Sequence, residues 1–257
     1  MTVYQYDPDF YAYINKGAEA SAERVVSAVL EHLSISSVAD FGCGQGAWLA
    51  VWKRKGISTV LGVDGDYVNR DALRITREEF AAADLTAPID LERRFDLVQC
   101  LEVAEHLPAA AADSLVNSLT AHAPMVLFSA APPGQGGENH INEQPYAYWR
   151  DRFTRKGFVP LDLVRPQVRN RQDVEPWYRY NTLLYVERKY LDTLPESVRR
   201  LRISDNAPIP DVSPLWYRMR KGFISVLPVG AMTRLAVLKK QLALASRGSA
   251  APPKGPV

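Results

Sequence analysis

Short apolar segments alternate with helical stretches along most of this chain, and this alternation limits the folds open to it. Segments with the length and apolar content of buried strands are SSVADFG, STVLGVD, FAAADL, FDLVQCLE, PMVLFSAA, FVPLDLV and TLLYVER. Apolar residues at helical spacing occupy the stretches between them, for example residues 21–32, 47–55 and 109–121. Strands that alternate with helices in this way predict parallel βαβ units, an α/β fold with helices on both faces of one sheet.

The alternation ends near residue 190. The chain has 257 residues, which is enough for one sizeable α/β domain with an appendage. Prolines divide the following residues into short pieces, with helical segments predicted at 215–227 and 231–246. We therefore predict a domain over residues 1–190, a helical extension over 191–247 and a disordered tail over 248–257.

Charge and cysteine content indicate the setting. The formal net charge of +2 predicts no general attraction to nucleic acid, but no acidic residue follows Asp211, so the extension is the basic part of the chain. Cys43 and Cys100 lie in apolar runs, as expected for buried, reduced thiols. Residues 1–16 lack the apolar core of a signal peptide, and no run of about 18 apolar residues occurs, so the sequence predicts a cytoplasmic protein.

A glycine-rich turn follows the first strand. It contains Gly42, Gly44 and Gly46 in the pattern G-x-G-x-G, with Asp40 just before it. Glycines let a backbone turn tightly and approach a ligand closely. A dinucleotide-binding dehydrogenase would have G-x-G-x-x-G facing a pyrophosphate, which the carboxylate of Asp40 would repel. Asp40 suits an ammonium group instead.

Acidic residues also follow the next three strands. Asp64 ends the second strand, 22 residues after Gly42, where a carboxylate can accept hydrogen bonds from ribose hydroxyls. Asp84, with Leu85 beside it, follows the third strand, and Glu102 ends the fourth. Carboxylates also favour loop starts and helix caps, so each residue taken alone fits a structural role as well.

Together the segments VADFGCGQGAW, VLGVDGDYV, AADL and FDLVQCLEVAEHL resemble the ordered motifs of class I S-adenosylmethionine-dependent methyltransferases. The resemblance covers about residues 20–187. It implies a Rossmann-like sheet of seven strands with the last one reversed, and S-adenosylmethionine as methyl donor. The cofactor residues that it implies are Asp40, Gly42, Gly44 and Gly46 at the methionine part, Asp64 with Gly65 at the ribose, Asp84 with Leu85 at the adenine, and Glu102. The N-terminal segment with Tyr11, Tyr13 and Ser21 resembles a lid over the cofactor.

Methyl transfer asks little of the protein, because the sulfonium already activates the methyl group. The enzyme has to align the reactants, exclude water and take a proton from a hydroxyl acceptor. His140, in the loop after the fifth strand, and His106 are candidate bases because histidine titrates near neutrality, and Glu105 is a third candidate. Each histidine also has a structural alternative. His140 fits a loop residue whose ring is held by backbone groups, and His106 fits a residue of a structural turn beside the cofactor.

The same residues suggest a metal site. Glu102, Glu105, His106 and a later His140 resemble the metal ligands of small-RNA 2′-O-methyltransferases and ubiquinone-pathway O-methyltransferases. A divalent ion lowers the pKa of a hydroxyl nucleophile, and Mg²⁺ is the ion that the carboxylates favour. The alternative is that both glutamates contact only cofactor and solvent.

Aromatic and polar residues late in the domain suggest the acceptor pocket. Asn142, Tyr146, Trp177 and Tyr178 are the predicted acceptor contacts, since rings with polar tips suit a sugar or a ring-bearing substrate. Trp149 and Tyr180 are instead expected in the core. The predicted function is O-methylation of a small molecule or glycan in a biosynthetic pathway.

Two other functions stay open at this point. An RNA 2′-O-methyltransferase needs basic surface around its active site, whereas the basic run here lies in the extension. A non-catalytic cofactor-binding module would act through that extension. Its apolar and basic helices can lie on an anionic membrane, form a homodimer contact or pack on the domain.

Overall fold

The computed structural model describes residues 8–248, with side chains for residues 17–228, 230–238 and 241. Within this range the chain forms one mixed sheet of seven strands. The strands are β1 (Ser37–Phe41), β2 (Thr59–Asp64), β3 (Phe80–Ala82), β4 (Leu97–Leu101), β5 (Met125–Ser129), β6 (Phe158–Leu161) and β7 (Leu183–Glu187). Their order is β3-β2-β1-β4-β5-β7-β6, and β7 runs antiparallel to both of its neighbours, β5 and β6. The predicted α/β fold with a reversed last strand is confirmed.

Helices cover both faces of this sheet. They are α1 (Pro8–Leu30), α2 (Ala47–Arg54), α3 (Ala112–His122), α4 (Tyr146–Arg155), α5 (Arg165–Val168), α6 (Pro176–Asn181), α7 (Glu196–Arg199), α8 (Leu215–Ile224) and α9 (Val229–Gly248). Single 3₁₀ turns occur at Arg70–Ala72, Arg77–Glu79, Ala104–His106 and Ala109–Ala111, and a longer one at Arg188–Thr193. The first of these turns is capped by the side chain of Asn69 and ends at Leu73, whose backbone is extended.

Alternate strand residues belong to two separate cores. Val38 and Leu97 face α1 and α2, whereas Ala39 and Val98 face α3 and α4. All four are completely buried, as expected for a parallel sheet covered on both sides. Burial on both faces explains why these strands appear in the sequence as continuous apolar runs.

The strand order places a crevice at the end of the sheet where the parallel strands terminate. From β1 the chain proceeds outward through β2 and β3, and then returns to pair β4 with the other side of β1. Ligands of such sheets bind at this reversal, beyond the carboxyl ends of the strands. The motifs after β1, β2 and β4 therefore meet at one place.

The segment after β7 packs back onto the domain. Arg165 is completely buried, pairs with Asp162 and donates a hydrogen bond of 2.9 Å to the carbonyl of Pro210. Arg150 donates to the carbonyls of Ser204 and Ala207. These contacts bring α8 and α9 to the carboxyl edge of the sheet. None of the helices in the described part of the chain is long and apolar enough to cross a bilayer.

Candidate active site

A cavity of about 640 Å³ lies beyond the carboxyl ends of β1, β2 and β4. Its floor is the glycine turn and the residues that end the strands, and α8 and α9 form one wall. This volume falls in the range of pockets that enclose most of a ligand of drug-like size. Of the predicted site residues, those that line it are Asp40, Gly42, Gly44, Asp64, Leu85, Glu102, Glu105, His106, His140, Trp177 and Tyr178.

The glycine turn has no room for side chains at its first position. Gly42 has a φ of +85°, and its amide donates 2.7 Å to the carbonyl of Val63. A Cβ on Gly42 would lie 2.3 Å from a methyl group of Val103, so any other residue would require the turn or Val103 to move. Gly46 has a positive φ as well, and it begins α2 without lining the cavity.

Two buried carboxyl groups, those of Asp40 and Asp64, lie in the floor of the cavity. Burial raises the pKa of Asp40 to about 7, although the Gln99 side chain acts in the opposite direction. Asp64 accepts hydrogen bonds of 2.7 Å from the amides of Gly44 and Gly65 and one of 2.6 Å from the hydroxyl of Tyr67. Burial raises the pKa of Asp64 too. Tyr67 also lines the cavity, a role that the sequence analysis did not assign.

Leu85 and Asp84, the two residues predicted at the adenine, lie in different environments. Leu85 is buried and lines the cavity. Asp84 is exposed and is not a lining residue, and its carboxylate accepts hydrogen bonds from the amide and hydroxyl of Thr86. Asp84 therefore caps its own turn in this structure.

Glu102 is held in a polar network at the end of β4. Its backbone has a φ of +56°, and its carboxylate accepts a hydrogen bond of 2.5 Å from Gln135 and one of 3.4 Å from Asn181. The hydroxyl of Tyr146 donates to Asn181 at 2.9 Å. Tyr146 supports this network from outside the cavity and is not one of its lining residues.

His140 is oriented by a neighbouring carboxylate. Its Nδ1 lies 2.8 Å from Oε1 of Glu143, and Glu143 also accepts hydrogen bonds of 2.7 Å from the amides of Gly134 and Gly136. Because a carboxylate only accepts, Nδ1 carries the proton and Nε2 of a neutral ring keeps its lone pair. Glu143 was not among the predicted site residues, although it follows His140 by three positions in the sequence.

Three candidate ligand groups gather next to this pair. The ligand atoms of Glu105, His106 and His140 all lie within 4.8 Å of one another. Glu105 is completely buried, and neither carboxyl oxygen accepts a hydrogen bond of good geometry from the described residues. Burial, and then the nearby Glu102, raise the pKa of Glu105 well above its ordinary value, whereas burial lowers the pKa of His106 to about 3. Glu102 lies outside this cluster.

The remaining predicted residues act as supports in the structure. Asn142 is buried, and its side chain donates to the carbonyl of Ala104 at 3.3 Å. Ser21 is buried, donates 2.6 Å to the carbonyl of Gly17 and accepts from the amide of Glu175. The side chains of Tyr11 and Tyr13 lie outside the described residues.

Aromatic residues divide between core and cavity. Trp149 and Tyr180 are buried, as expected, and Trp149 packs on Phe128 at a ring distance of 5.2 Å. Tyr178 lines the cavity and contacts Trp48 edge-on at 4.9 Å. The wall formed by α8 and α9 was not assigned to the site by the sequence analysis. Its lining residues are Trp216, Tyr217, Arg220, Ile224, Met232, Leu235 and Ala236.

Comparison with known proteins supports the assignment of the fold. The sugar N-methyltransferase KedS8 from Streptoalloteichus sp. ATCC 53650 superimposes with a TM-score of 0.54 and 19% identity, over 73% of this chain and 97% of that one. Magnesium protoporphyrin IX methyltransferase (ChlM) from Synechocystis PCC 6803, with bound SAH, gives 0.50 and 20%, over 72% and 89%. No curated protein matches the sequence.

A family model described as a methyltransferase domain (Methyltransf_23) matches residues 13–160, more than half of the chain. The matched region contains the glycine turn, the acidic residues at the strand ends and both histidines of the cavity. The chain belongs to this methyltransferase family and is a class I S-adenosylmethionine-dependent methyltransferase.

Proposed function

We propose that the enzyme methylates a hydroxyl group of a small molecule or glycan, with His140 as the general base. The observation that carries this proposal is that His140 lines the cavity and that Glu143 holds its ring from behind. An amine can be methylated from its neutral form without a strong base, whereas a hydroxyl has to lose its proton as it attacks. A histidine oriented by a carboxylate meets that need near neutral pH.

The cofactor would occupy the part of the cavity above the glycine turn. S-adenosylmethionine supplies a methyl group already activated by its sulfonium. Asp40 and the backbone at Gly42 and Gly44 would hold the methionine part, with Gly46 shaping the turn behind them. Asp64 with Gly65 would hold the ribose. Leu85 would pack on the adenine, with Asp84 at its edge. The buried carboxyl of Asp40 and the absence of space at Gly42 fit a cationic group lying close to the backbone.

In the proposed reaction, Nε2 of His140 takes the hydroxyl proton as the acceptor oxygen bonds to the methyl carbon. The carbon–sulfur bond of the cofactor would break at the same time, and its electron pair would go to sulfur, so that S-adenosylhomocysteine leaves. Glu143 stabilises the imidazolium that forms and keeps the ring in place. Trp177 and Tyr178 would contact the acceptor, since both line the cavity with aromatic rings.

A metal-assisted version of the same reaction uses Glu105, His106 and His140 as ligands. Both oxygens of Glu105 are buried without a hydrogen bond of good geometry from the described residues, and burial keeps the ring of His106 neutral by lowering its pKa to about 3. A carboxyl group and neutral imidazoles this close together are groups that a cation can bind. With two imidazoles and one carboxylate, the cluster is closer to the preferences of Mn²⁺, Fe²⁺ or Zn²⁺ than to those of Mg²⁺. A bound ion would lower the pKa of the acceptor hydroxyl.

An RNA acceptor is less well supported. The described lining residues include five carboxyl groups (Asp40, Asp64, Glu102, Glu105 and Glu138) but only one arginine, Arg220. A polyanion binds through basic groups around the site, so this lining favours a neutral acceptor.

Methyl transfer to a panel of phenolic and sugar acceptors tests the proposal, with S-adenosylhomocysteine release as the readout. His140→Ala should lower kcat by about 10²–10⁴-fold without weakening cofactor binding. Glu143→Gln should retain intermediate activity, since it keeps the ring in place but removes the charge. Full activity of His140→Ala on a hydroxyl acceptor, or methylation of amines alone, would refute the proposal.

The same assay separates the two versions. If His140 acts as a free base, EDTA has no effect and His106→Ala is mild. If a metal takes part, EDTA abolishes activity, Mn²⁺, Zn²⁺ or Mg²⁺ restores it, and His106→Ala is as damaging as His140→Ala.

A further inference from the structure

Helix α8 is apolar on the side that faces away from the protein. Its inner side buries Tyr217 and Lys221, and Lys221 pairs with Asp211 at 2.5 Å. Its outer side carries Leu215, Met219 and Phe223 at helical spacing, and Phe223 is 75% exposed. A helix packed on a globular domain usually presents polar residues to solvent.

This apolar surface continues beyond α8. Among the described residues, seven of the nine large apolar side chains that are exposed lie between positions 215 and 238. We call them the apolar surface: Leu215, Trp216, Met219, Phe223, Val226, Leu235 and Leu238. Single exposed apolar residues are ordinary, but a concentration of this kind marks a contact with another molecule or with lipid.

Charge indicates which partner fits. Arg218 and Arg234 are exposed beside the apolar surface, and the sequence contains no acidic residue after Asp211. A symmetric contact with a second copy would bring these like charges together. A nucleic acid would match the charge but not the exposed phenylalanine, leucine and methionine. Apolar and aromatic side chains mixed with arginine are the combination that binds anionic lipid surfaces.

The apolar surface also borders the mouth of the cavity. Trp216 and Leu235 are both more than half exposed, and both line the cavity. Arg220, on the same helix, lines the cavity and donates 3.1 Å to the carbonyl of Gln135. A partner that covers the apolar surface therefore lies directly at the entrance to the active site.

We propose that α8 and α9 dock the enzyme on an anionic lipid bilayer, with the apolar surface in the interfacial region and the cavity mouth at the lipid. This binding is independent of which acceptor the enzyme methylates. Lipid binding and methyl transfer are therefore measured separately, and each can fail without the other.

Co-sedimentation of the full chain with vesicles tests the proposal. Vesicles of equal parts phosphatidylcholine and phosphatidylglycerol should bind the protein, and vesicles of phosphatidylcholine alone should bind it much more weakly. Phe223→Ser should lower the partition coefficient roughly tenfold, because it removes an aromatic ring that the lipid would bury. Arg218→Glu should lower it by roughly tenfold or more, because it reverses one charge at the surface.

Matched variants control for folding and for general charge. Phe223→Leu keeps an apolar side chain and should retain binding. Lys156→Glu changes an exposed charge just before β6, at the end of the sheet opposite to the cavity. This variant should have no effect on lipid binding. All four variants should bind S-adenosylhomocysteine like the unaltered protein, since none of these residues lines the cavity.

Failure to bind the anionic vesicles would overturn the proposal, and so would equal binding to both kinds. A dimer in sedimentation equilibrium that Phe223→Ser converts to a monomer would show instead that a second copy covers the apolar surface.

Discussion

Buried carboxyl groups give this site much of its character. Asp40, Asp64 and Glu105 are all nearly inaccessible to solvent, and burial raises the pKa of each. Burying a carboxylate without a cation is costly, so such groups reduce the stability of the ligand-free protein. A cationic cofactor bound beside them would recover part of that cost. Substitutions of Asp40 and Asp64, which lie beside the glycine turn, should therefore reveal how much the burial of these carboxyl groups costs in stability.

The pH dependence of stability should report the burial of Asp40. The pKa of Asp40 is raised in the folded state from an ordinary value of 3.8 to about 7, so the folded protein favours the protonated carboxyl. The stabilisation that this preference gives is fully present below about pH 4 and is lost as the pH rises through 7. Relative to Asp40→Asn, the native protein should lose up to about 4 kcal/mol of unfolding free energy over this interval. Urea denaturation at several pH values measures it, and parallel curves for the two proteins would contradict the assignment.

Substitution of Gly42 should be far more harmful than its backbone conformation alone explains. Gly42 and Gly56 both have a positive φ, but a Cβ on Gly42 meets Val103 at 2.3 Å, whereas one on Gly56 has nothing within 4 Å. Gly56→Ala should cost about 1–2 kcal/mol of stability, the usual penalty for this conformation. Gly42→Ala should cost clearly more and should also weaken binding of S-adenosylhomocysteine. Equal thermal shifts for the two variants would show that the turn adapts.

At the scale of elements, the active site combines two parts of the chain. The strand ends and the glycine turn form the floor, and α8 and α9 form a wall. Helix α8 can lie close to the loop after β5 because Gly134 has no side chain. A Cβ on Gly134 would lie 1.9 Å from the carbonyl oxygen of Lys221. Packing against α8 thus explains Gly134 and Gly136 in the loop after β5, whereas a Cβ on Gly137 would lie 2.0 Å from the ring of His140.

The attachment of α8 should depend on its buried ion pair. Lys221 and Asp211 are 2.5 Å apart with Lys221 buried, whereas Lys189 and Glu187 form a similar pair with Lys189 80% exposed. Lys221→Met should cost about 2 kcal/mol, because it leaves the partly buried carboxylate of Asp211 without a cation and with hydrogen bonds from Ser213 only, and Lys189→Met should cost little. Hydrogen exchange of residues 215–224 should speed up in the first variant only. Unchanged exchange there would mean that apolar packing alone holds α8.

At the scale of the whole molecule, the sequence predicted the sheet and the floor of the cavity much better than the wall. Buried strands produce continuous apolar runs, and the residues after them necessarily meet at one edge, so Asp40, Asp64 and Glu102 could be grouped from the sequence. The position of α8 depends on long-range contacts such as Arg165 with Pro210, which no local pattern reveals. For the same reason Asn142 and Tyr146 were expected at the acceptor but support the site from outside the cavity.

Titration calorimetry with S-adenosylhomocysteine is the most direct test that this cavity binds the cofactor through Asp64. We expect binding to the unaltered protein in the micromolar range, a loss of about tenfold or more in Asp64→Ala, and unchanged binding in Asp66→Ala. Asp66 is the matched control, because it lies two residues away and is exposed in a surface pair with Arg70. A folded protein that binds no S-adenosylhomocysteine, or an Asp64→Ala variant that binds it normally, would contradict the account.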